Sequence, residues 1–318
     1  MSMNIQIGHI ARHTPRGAGA QGREAAVVDV AQDLLLAHMH EAGILGNLAI
    51  KGGTAIRKLY AGNEGRFSLD LDFAAFGADP ADAGELFVME ADGLSIGPFT
   101  YGVAERRGKW SISFDSPFVE NATLASKLDF SPQPWLAPAT KGWVPMPIHV
   151  QYGFALPEVP TVRIEENIAE KVARLNRTTT ARDMYDLRWI MTNPALAPTI
   201  DKALVRRLAV LKIWVDTNGM HASNAFWKPS HQGSVFDPAH WLRERDESEF
   251  DPEDIGALAV PRPSAKEMSD AVRERFAFLA DLDADELEIA QSDPRSRSVV
   301  IKAMSSLPNK TFNAETLF

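Results

Sequence analysis

The sequence predicts an α+β protein: a mixed sheet flanked by helices over residues 1–160, followed by a mainly helical domain over 161–318. Three observations predict it. Short runs of alternating apolar residues recur between Leu48 and Phe154, separated by turns rich in glycine and proline. From Ile164 the period becomes helical, with Ile168, Val172 and Leu175 on one stripe. Pro157 and Pro160 stand between these regimes and mark the boundary.

Met1 to Gly22 mixes Gly, His and Arg without a period, so a loosely held arm is expected. Arg23 to Ala42 reads as an amphipathic helix that offers Val27, Val30, Leu34 and Met39 to the sheet. Leu48, Ala49 and Ile50 form a short buried strand, Gly52-Gly53 a turn, and Thr54 to Tyr60 a helix with Ala55, Ile56 and Leu59 at helical spacing. Alternation resumes from Arg66 to Phe73, and further strands are expected over 100–104, 110–114, 123–130 and 148–154. No internal repeat or low-complexity tract interrupts this order.

Composition narrows the function classes. No apolar run approaches the roughly 18 residues of a membrane span, and no apolar segment follows the first charges. A cytoplasmic protein without membrane contact is expected. The absence of cysteine excludes disulfides, thiol catalysis and cysteine-based zinc sites. His38, His40, His221, His231 and His240 lack the spacing and acid support of a zinc helix and are expected at the surface. The seven tryptophans are expected as packing anchors, with Trp227 and Trp241 near enough to a charge transition to meet a partner.

The net charge of −9 is unevenly distributed. Lys171 to Lys212 holds nine basic residues against three acidic ones, a balance of +6, whereas Asp237 to Asp293 holds seventeen acids against six bases, a balance of −11. An RNA backbone would favour the first stretch and be repelled by the second. Two helical surfaces with differently solvated faces would give the same pattern.

The chemistry concentrates in Arg66-Phe67-Ser68-Leu69-Asp70-Leu71-Asp72-Phe73. On a strand, Ser68, Asp70 and Asp72 share one face while Phe67, Leu69, Leu71 and Phe73 share the other. Two carboxylates at i and i+2 lie about 7 Å apart and can converge on a divalent cation, which would offset their repulsion. Alone, the pattern fits equally an edge strand with a solvated acidic face. The preceding Lys51-Gly52-Gly53-Thr54 changes the balance, because paired glycines let backbone N–H groups approach a phosphate and Thr54 can cap the helix or bond a phosphate oxygen. Lys127 and Asp129 alternate on a later strand, and Asp129 is a candidate third carboxylate that would activate an attacking hydroxyl. Asp183 and Asp186 are neighbours on one helix face, spaced to orient Lys171 or Arg66, and Arg182 and Asp186 are spaced for a structural i,i+4 pair.

These blocks resemble the AbiEii/AbiGii-type toxin nucleotidyltransferases of bacterial abortive-infection and toxin–antitoxin systems. The matching segments are Lys51-Gly52-Gly53-Thr54-Ala55 with Lys58 and Tyr60, Arg66-Phe67-Ser68 through Asp70-Leu71-Asp72-Phe73, Glu166 to Lys171, and Arg182-Asp183-Met184-Tyr185-Asp186-Leu187. The resemblance implies a nucleotidyltransferase fold, an NTP substrate and Mg2+ or Mn2+. It implies a toxin that blocks translation and growth by transferring nucleotides to an RNA acceptor, foremost the 3′ end of tRNA, and that answers to a cognate antitoxin. The expected catalytic residues are Asp70, Asp72, Lys171, Asp129 and Asp186, with Asp70 and Asp72 on the metal. Gly52, Gly53, Thr54, Lys58, Arg66, Ser68 and Asp183 are expected to hold the nucleotide. Transfer to a protein or small-molecule hydroxyl, or nucleotide binding by a non-catalytic toxin partner, remain alternatives. Phosphorylation of Ser68 would place negative charge where phosphates bind and is a conceivable off-switch.

Overall fold

The computed structural model describes residues 3–16, 19–119, 124–218, 242, 246–291 and 297–314. His221, His231, His240, Trp227 and Trp241 lie outside them. The chain forms two compact units: residues 1–134, 138–162 and 256–262 make the first, and 135–137, 163–255 and 263–318 the second.

The first unit is built on β1 (Leu48–Lys51), β2 (Leu71–Ala75), β3 (Ser95–Ile96), β4 (Phe99–Arg106), β5 (Lys109–Asp115), β6 (Leu124–Ser131), β7 (Ala139–Lys141) and β8 (Val159–Thr161). Among the described residues these form one sheet in the order β3-β4-β5-β6-β2-β1-β8-β7. β2 runs parallel to β6 and β1 parallel to β8, while every other pair is antiparallel. Alternation along these strands sends Leu71, Phe73, Ile112, Phe114 and Leu128 to one face. That face is covered by α2 (Gly19–Glu41) and α4 (Pro80–Ala91), with α1 (Ile7–His13) against α2. Phe73 stacks on Phe130 with 5.5 Å between ring centroids, and Phe87 from α4 meets both rings. Each such side chain taken from water contributes about 1.5–3 kcal/mol.

The helix α2 is covered on nearly every side, so it buries Asp29, Gln32 and Asp33 along with Val27, Val30, Leu34 and Met39. Those carboxylates are neutralised from the segment after the glycine turn. Lys58 Nζ donates to Asp33 Oδ1 at 2.6 Å and Asp29 Oδ1 at 3.0 Å, and Arg57 donates to Asp29 Oδ2 at 3.1 Å. Tyr152, Trp143 and His13 complete the set. Burial alone would raise the Asp29 carboxyl, but the Arg57 and Lys58 charges outweigh it and hold it well below its ordinary value. Asp33 is lowered by the same contest, and Lys58 is held above its usual range by both acids despite its burial.

Four expectations differ in detail. The arm contains α1, whose Ile10 is fully buried, and α2 begins at Gly19. The predicted helix at Thr54 starts at Gly52 as α3 (Gly52–Ile56) and widens into a π-turn over Arg57–Ala61, held where Arg57 bonds the Gly62 and Gly65 carbonyls. The strand expected over 148–154 is a 3₁₀ helix at Pro147–Gln151: Pro147 pre-sets its first turn, and Ile148 and Tyr152, four apart, both face inward. Finally, β2 starts only at Leu71. Phe67 is buried but gives its N–H to the Ala257 carbonyl, and Leu69, expected on the core face, is 48% exposed.

The second unit is helical: α5 (Ile164–Leu175), α6 (Ala181–Thr192), α7 (Lys202–Asn218), α8 (Ala265–Arg275), α9 (Ala284–Gln291) and α10 (Arg297–Ser305). Here α5 packs on α7, α6 on α8, and α9 on both α7 and α10. Buried Glu166 accepts the Trp135 and Leu136 N–H groups at 2.8 and 2.9 Å and the Lys212 ammonium at 2.9 Å, fixing residues 135–137 to this unit.

Candidate active site

At the end of β1 the chain turns sharply. Gly52 has φ +69, a conformation that costs any residue with a Cβ, and a Cβ there would lie 2.6 Å from Asp72 Oδ2. At Gly53 a Cβ would fall inside the Arg66 guanidinium and 3.2 Å from Ser68 Oγ. Both glycines are therefore required by side chains that approach the turn from β2 and the segment before it. Thr54 Oγ1 donates to the Asp70 carbonyl, tying α3 to the same segment. Gly52, Gly53, Thr54, Arg66, Ser68, Asp70 and Asp72 are thus brought together. Arg66 and Ser68 are buried beside the turn, while Asp70 and Asp72 are half-buried.

Strand register adds two members. Lys51 is paired with Asp72 across the antiparallel β1–β2 ladder, and Asp72 with Asp129 across the parallel β2–β6 ladder. Directly paired residues share a sheet face, so Lys51, Asp72 and Asp129 form a row across three strands, opposite the apolar core. Asp129 is exposed at the end of this row. Lys51 belongs to the matching motif but was given no role of its own, although its position at the end of an apolar strand before two glycines carries the signal.

Lys58 lies elsewhere: it is fully buried among Asp29 and Asp33, its charge committed to the core beneath α3. Within the second unit, Lys171 is 4% exposed and its Nζ stands 2.8 Å from both Asp183 and Asp186. Thr180 caps α6 through the Asp183 N–H and also donates to the Asp183 carboxylate. Burial would raise the Asp183 carboxyl, but Lys171 and then Arg174 outweigh it and hold it far below its ordinary value.

The donor set suits a hard cation. Asp70 and Asp72 offer oxygen ligands, as Mg2+ prefers, and Mg2+ is commonly held by one or two carboxylates with substrate phosphates and water completing its shell. Among the described residues no group of three or more His, Cys, Asp or Glu is arranged to hold a metal by itself. A two-carboxylate site that requires the nucleotide to complete it fits this arrangement.

The basic middle of the sequence is largely neutralised in the fold. Lys212 pairs with Glu166 and Glu170, Arg206 and Arg207 with Glu286, Arg207 also with Asp283, and Arg177 with Asp216. Part of the acidic C-terminal stretch serves as their counter-charge. Among the described residues no helix is long and apolar enough to cross a membrane.

Comparisons with known proteins identify the family. The family described as nucleotidyl transferase AbiEii toxin, type IV toxin–antitoxin system, matches residues 34–214. Among solved structures, MenT4, a nucleotidyltransferase toxin from Mycobacterium tuberculosis H37Rv, is 36% identical with a TM-score of 0.79, over 95% of this chain and 99% of its own. JHP933 from Helicobacter pylori is 14% identical with a TM-score of 0.37, over 80% of this chain and 93% of its own. A search of curated proteins found no match. The chain belongs to the AbiEii family of nucleotidyl transferase toxins of type IV toxin–antitoxin systems.

Proposed function

We propose that this toxin transfers a nucleotidyl group from an NTP to an RNA hydroxyl, with the 3′ end of tRNA as acceptor and arrest of translation as consequence. The observation that carries the proposal is the row of Lys51, Asp72 and Asp129 beside the Gly52-Gly53 turn. Asp70 and Asp72 would hold Mg2+ or Mn2+. When bound, such an ion neutralises charge on the phosphates of the NTP.

The chain's own groups supply the rest. Gly52 and Gly53 leave the turn without side chains, so backbone can approach the triphosphate closely, flanked by Thr54, Ser68 and the Arg66 guanidinium. Lys51 adds a cation in register with Asp72, which balances the acids before substrate arrives and attracts phosphate oxygens afterwards. Asp129, at the open end of the row, accepts the proton of the attacking hydroxyl. Lys171, held between Asp183 and Asp186, supplies an ammonium that turnover requires. A cognate antitoxin opposes the activity, as the family implies.

The test incubates purified protein with Mg2+, each labelled NTP in turn and total tRNA, resolved on a denaturing gel beside an Asp70→Asn control. Label on tRNA that vanishes in the control is expected. Pyrophosphate release without labelled RNA would transfer the assignment to a protein or small-molecule acceptor, and silence in both readouts would count for a non-catalytic nucleotide binder.

A further inference from the structure

The row that begins with Lys51, Asp72 and Asp129 continues onto strands whose residues no motif includes. The register of β5 on β6 sets Trp110 against Leu128 and Ser111 against Lys127, which puts Lys109 beside Asp129 on the same face. The register of β4 on β5 then sets Arg106 against Lys109. From the acid pair outward, one sheet face therefore reads Asp72, Asp129, Lys109, Arg106, with Lys127 two residues from Asp129 on the same strand. Arg106, Lys109 and Lys127 are all exposed, and none makes an ion pair among the described residues. This contrasts with the cations of α7, which are committed to internal acids.

Asp129 offsets part of this charge beside Lys109, and the other acids nearby lie elsewhere. Glu105 pairs with Trp110 and so belongs to the opposite face. Asp115 shares the basic face but sits six residues beyond Lys109, about 20 Å along β5. Strands about 4.8 Å apart place Arg106 roughly 14 Å from Asp72 across three ladders. A chain of phosphates laid on Arg106 and Lys109 would run directly toward the carboxylates.

Resting on the RNA-acceptor function above, we propose that the β4–β5–β6 face, through Arg106, Lys109 and Lys127, is the surface that holds the backbone of the acceptor's single-stranded end. The occupant is fixed by charge complementarity: three exposed cations, outside any ion pair among the described residues, match a polyanion, and their neighbours on this face, Ala104 and the half-buried Ser111, carry no large apolar group for a protein partner. The cations position the strand while Asp129 meets its hydroxyl, so they are positioning residues.

The experiment separates this surface from the chemistry by measuring binding without turnover. Fluorescein-labelled single-stranded RNA and whole tRNA are titrated with protein by anisotropy over a series of salt concentrations, with neither NTP nor divalent metal. The variant carrying Arg106→Gln, Lys109→Gln and Lys127→Gln is expected to lose at least about tenfold in affinity for both RNAs, with the salt slope reduced by about 2, since each single-strand phosphate contact contributes roughly 0.7. Glu105→Gln, on the opposite face, is expected to bind as the unaltered protein does. Unchanged affinity and slope in the triple variant, with its thermal melt preserved, would overturn the proposal, as would an equal loss in Glu105→Gln. If the triple variant loses RNA while no nucleotide is ever transferred to RNA, the surface stands and the transfer function falls.

Discussion

Gly52 and Asp72 are fitted to each other: the glycine's left-handed φ of +69 turns the chain so that the space a Cβ would occupy lies 2.6 Å from the Asp72 carboxylate. Substitution by alanine has two separable effects. Strain in the left-handed conformation costs about 1–2 kcal/mol, read as a modest fall in melting temperature. Because the atom in the way is the end of a side chain, the larger effect is displacement of Asp72. Gly52→Ala is expected to fold and to lose about a hundredfold in turnover, the penalty typical of a misplacement near 1 Å. A melting temperature that collapses together with activity would show the glycine to be needed for the fold alone.

The three candidate acids of the site, Asp70, Asp72 and Asp129, occupy different environments and are expected to respond differently. Asp70 and Asp72 are half-buried at the glycine turn, whereas Asp129 is exposed one strand away. Asp70→Asn and Asp72→Asn should abolish turnover while leaving the melt intact, since neither is held in the core. Asp129→Asn should retain nucleotide binding and lose about 10²–10⁴-fold in transfer rate, the usual share of a general base. Full activity in Asp129→Asn would assign the proton to another group.

Lys58 is expected to serve stability. Its ammonium is fully buried between Asp29 and Asp33, so Lys58→Met leaves two buried carboxylates short of a counter-charge and should cost about 3–5 kcal/mol. The pH dependence gives the sign. In the unaltered protein the folded state holds both carboxyls low, so their contribution is present above the unfolded value near 3.9 and lost as pH falls through the folded one. Lys58 is raised, so its contribution is full below about 10.4 and lost as pH climbs through its folded value. In Lys58→Met a protonated carboxyl is no longer a stranded charge, so the deficit against the unaltered protein should narrow between pH 7 and pH 4. Thermal melts at both values measure it, and a constant deficit would point to lost packing.

How much of this was legible depended on whether a feature is local. The glycine turn, the Asp70 and Asp72 pair and the strands β4 to β6 are encoded within a few residues, and periodicity found them. Asp72 and Asp129 are 57 residues apart in sequence, and only the parallel register of β2 on β6 places them side by side. Lys58 was expected at the nucleotide because it follows the Gly52-Gly53 turn in the same motif. The acids that claim it lie 25 and 29 residues upstream on a helix whose burial cannot be seen in its own sequence. Leu69 satisfied strand alternation, yet the ladder begins two residues later because Phe67 has bonded Ala257, which arrives from far along the chain. Likewise, the basic stretch from Lys171 to Lys212 gave no sign that Asp283 and Glu286 would neutralise it.

Lys171 combines a structural bond with an expected role in turnover, and a double substitution separates them. Its Nζ lies 2.8 Å from both Asp183 and Asp186, with all three side chains buried. Lys171→Met alone leaves both acids without their shared cation and should lower stability by about 3 kcal/mol, with turnover abolished. Removing one of the stranded charges by adding Asp183→Asn should return part of that stability, because residues in one ion-pair network are coupled and their effects do not add. If Lys171 serves only to hold α5 to α6, turnover should recover in proportion to the melt. The proposed function predicts the opposite: the double variant melts closer to the unaltered protein and remains inactive, because the ammonium itself is what the reaction requires.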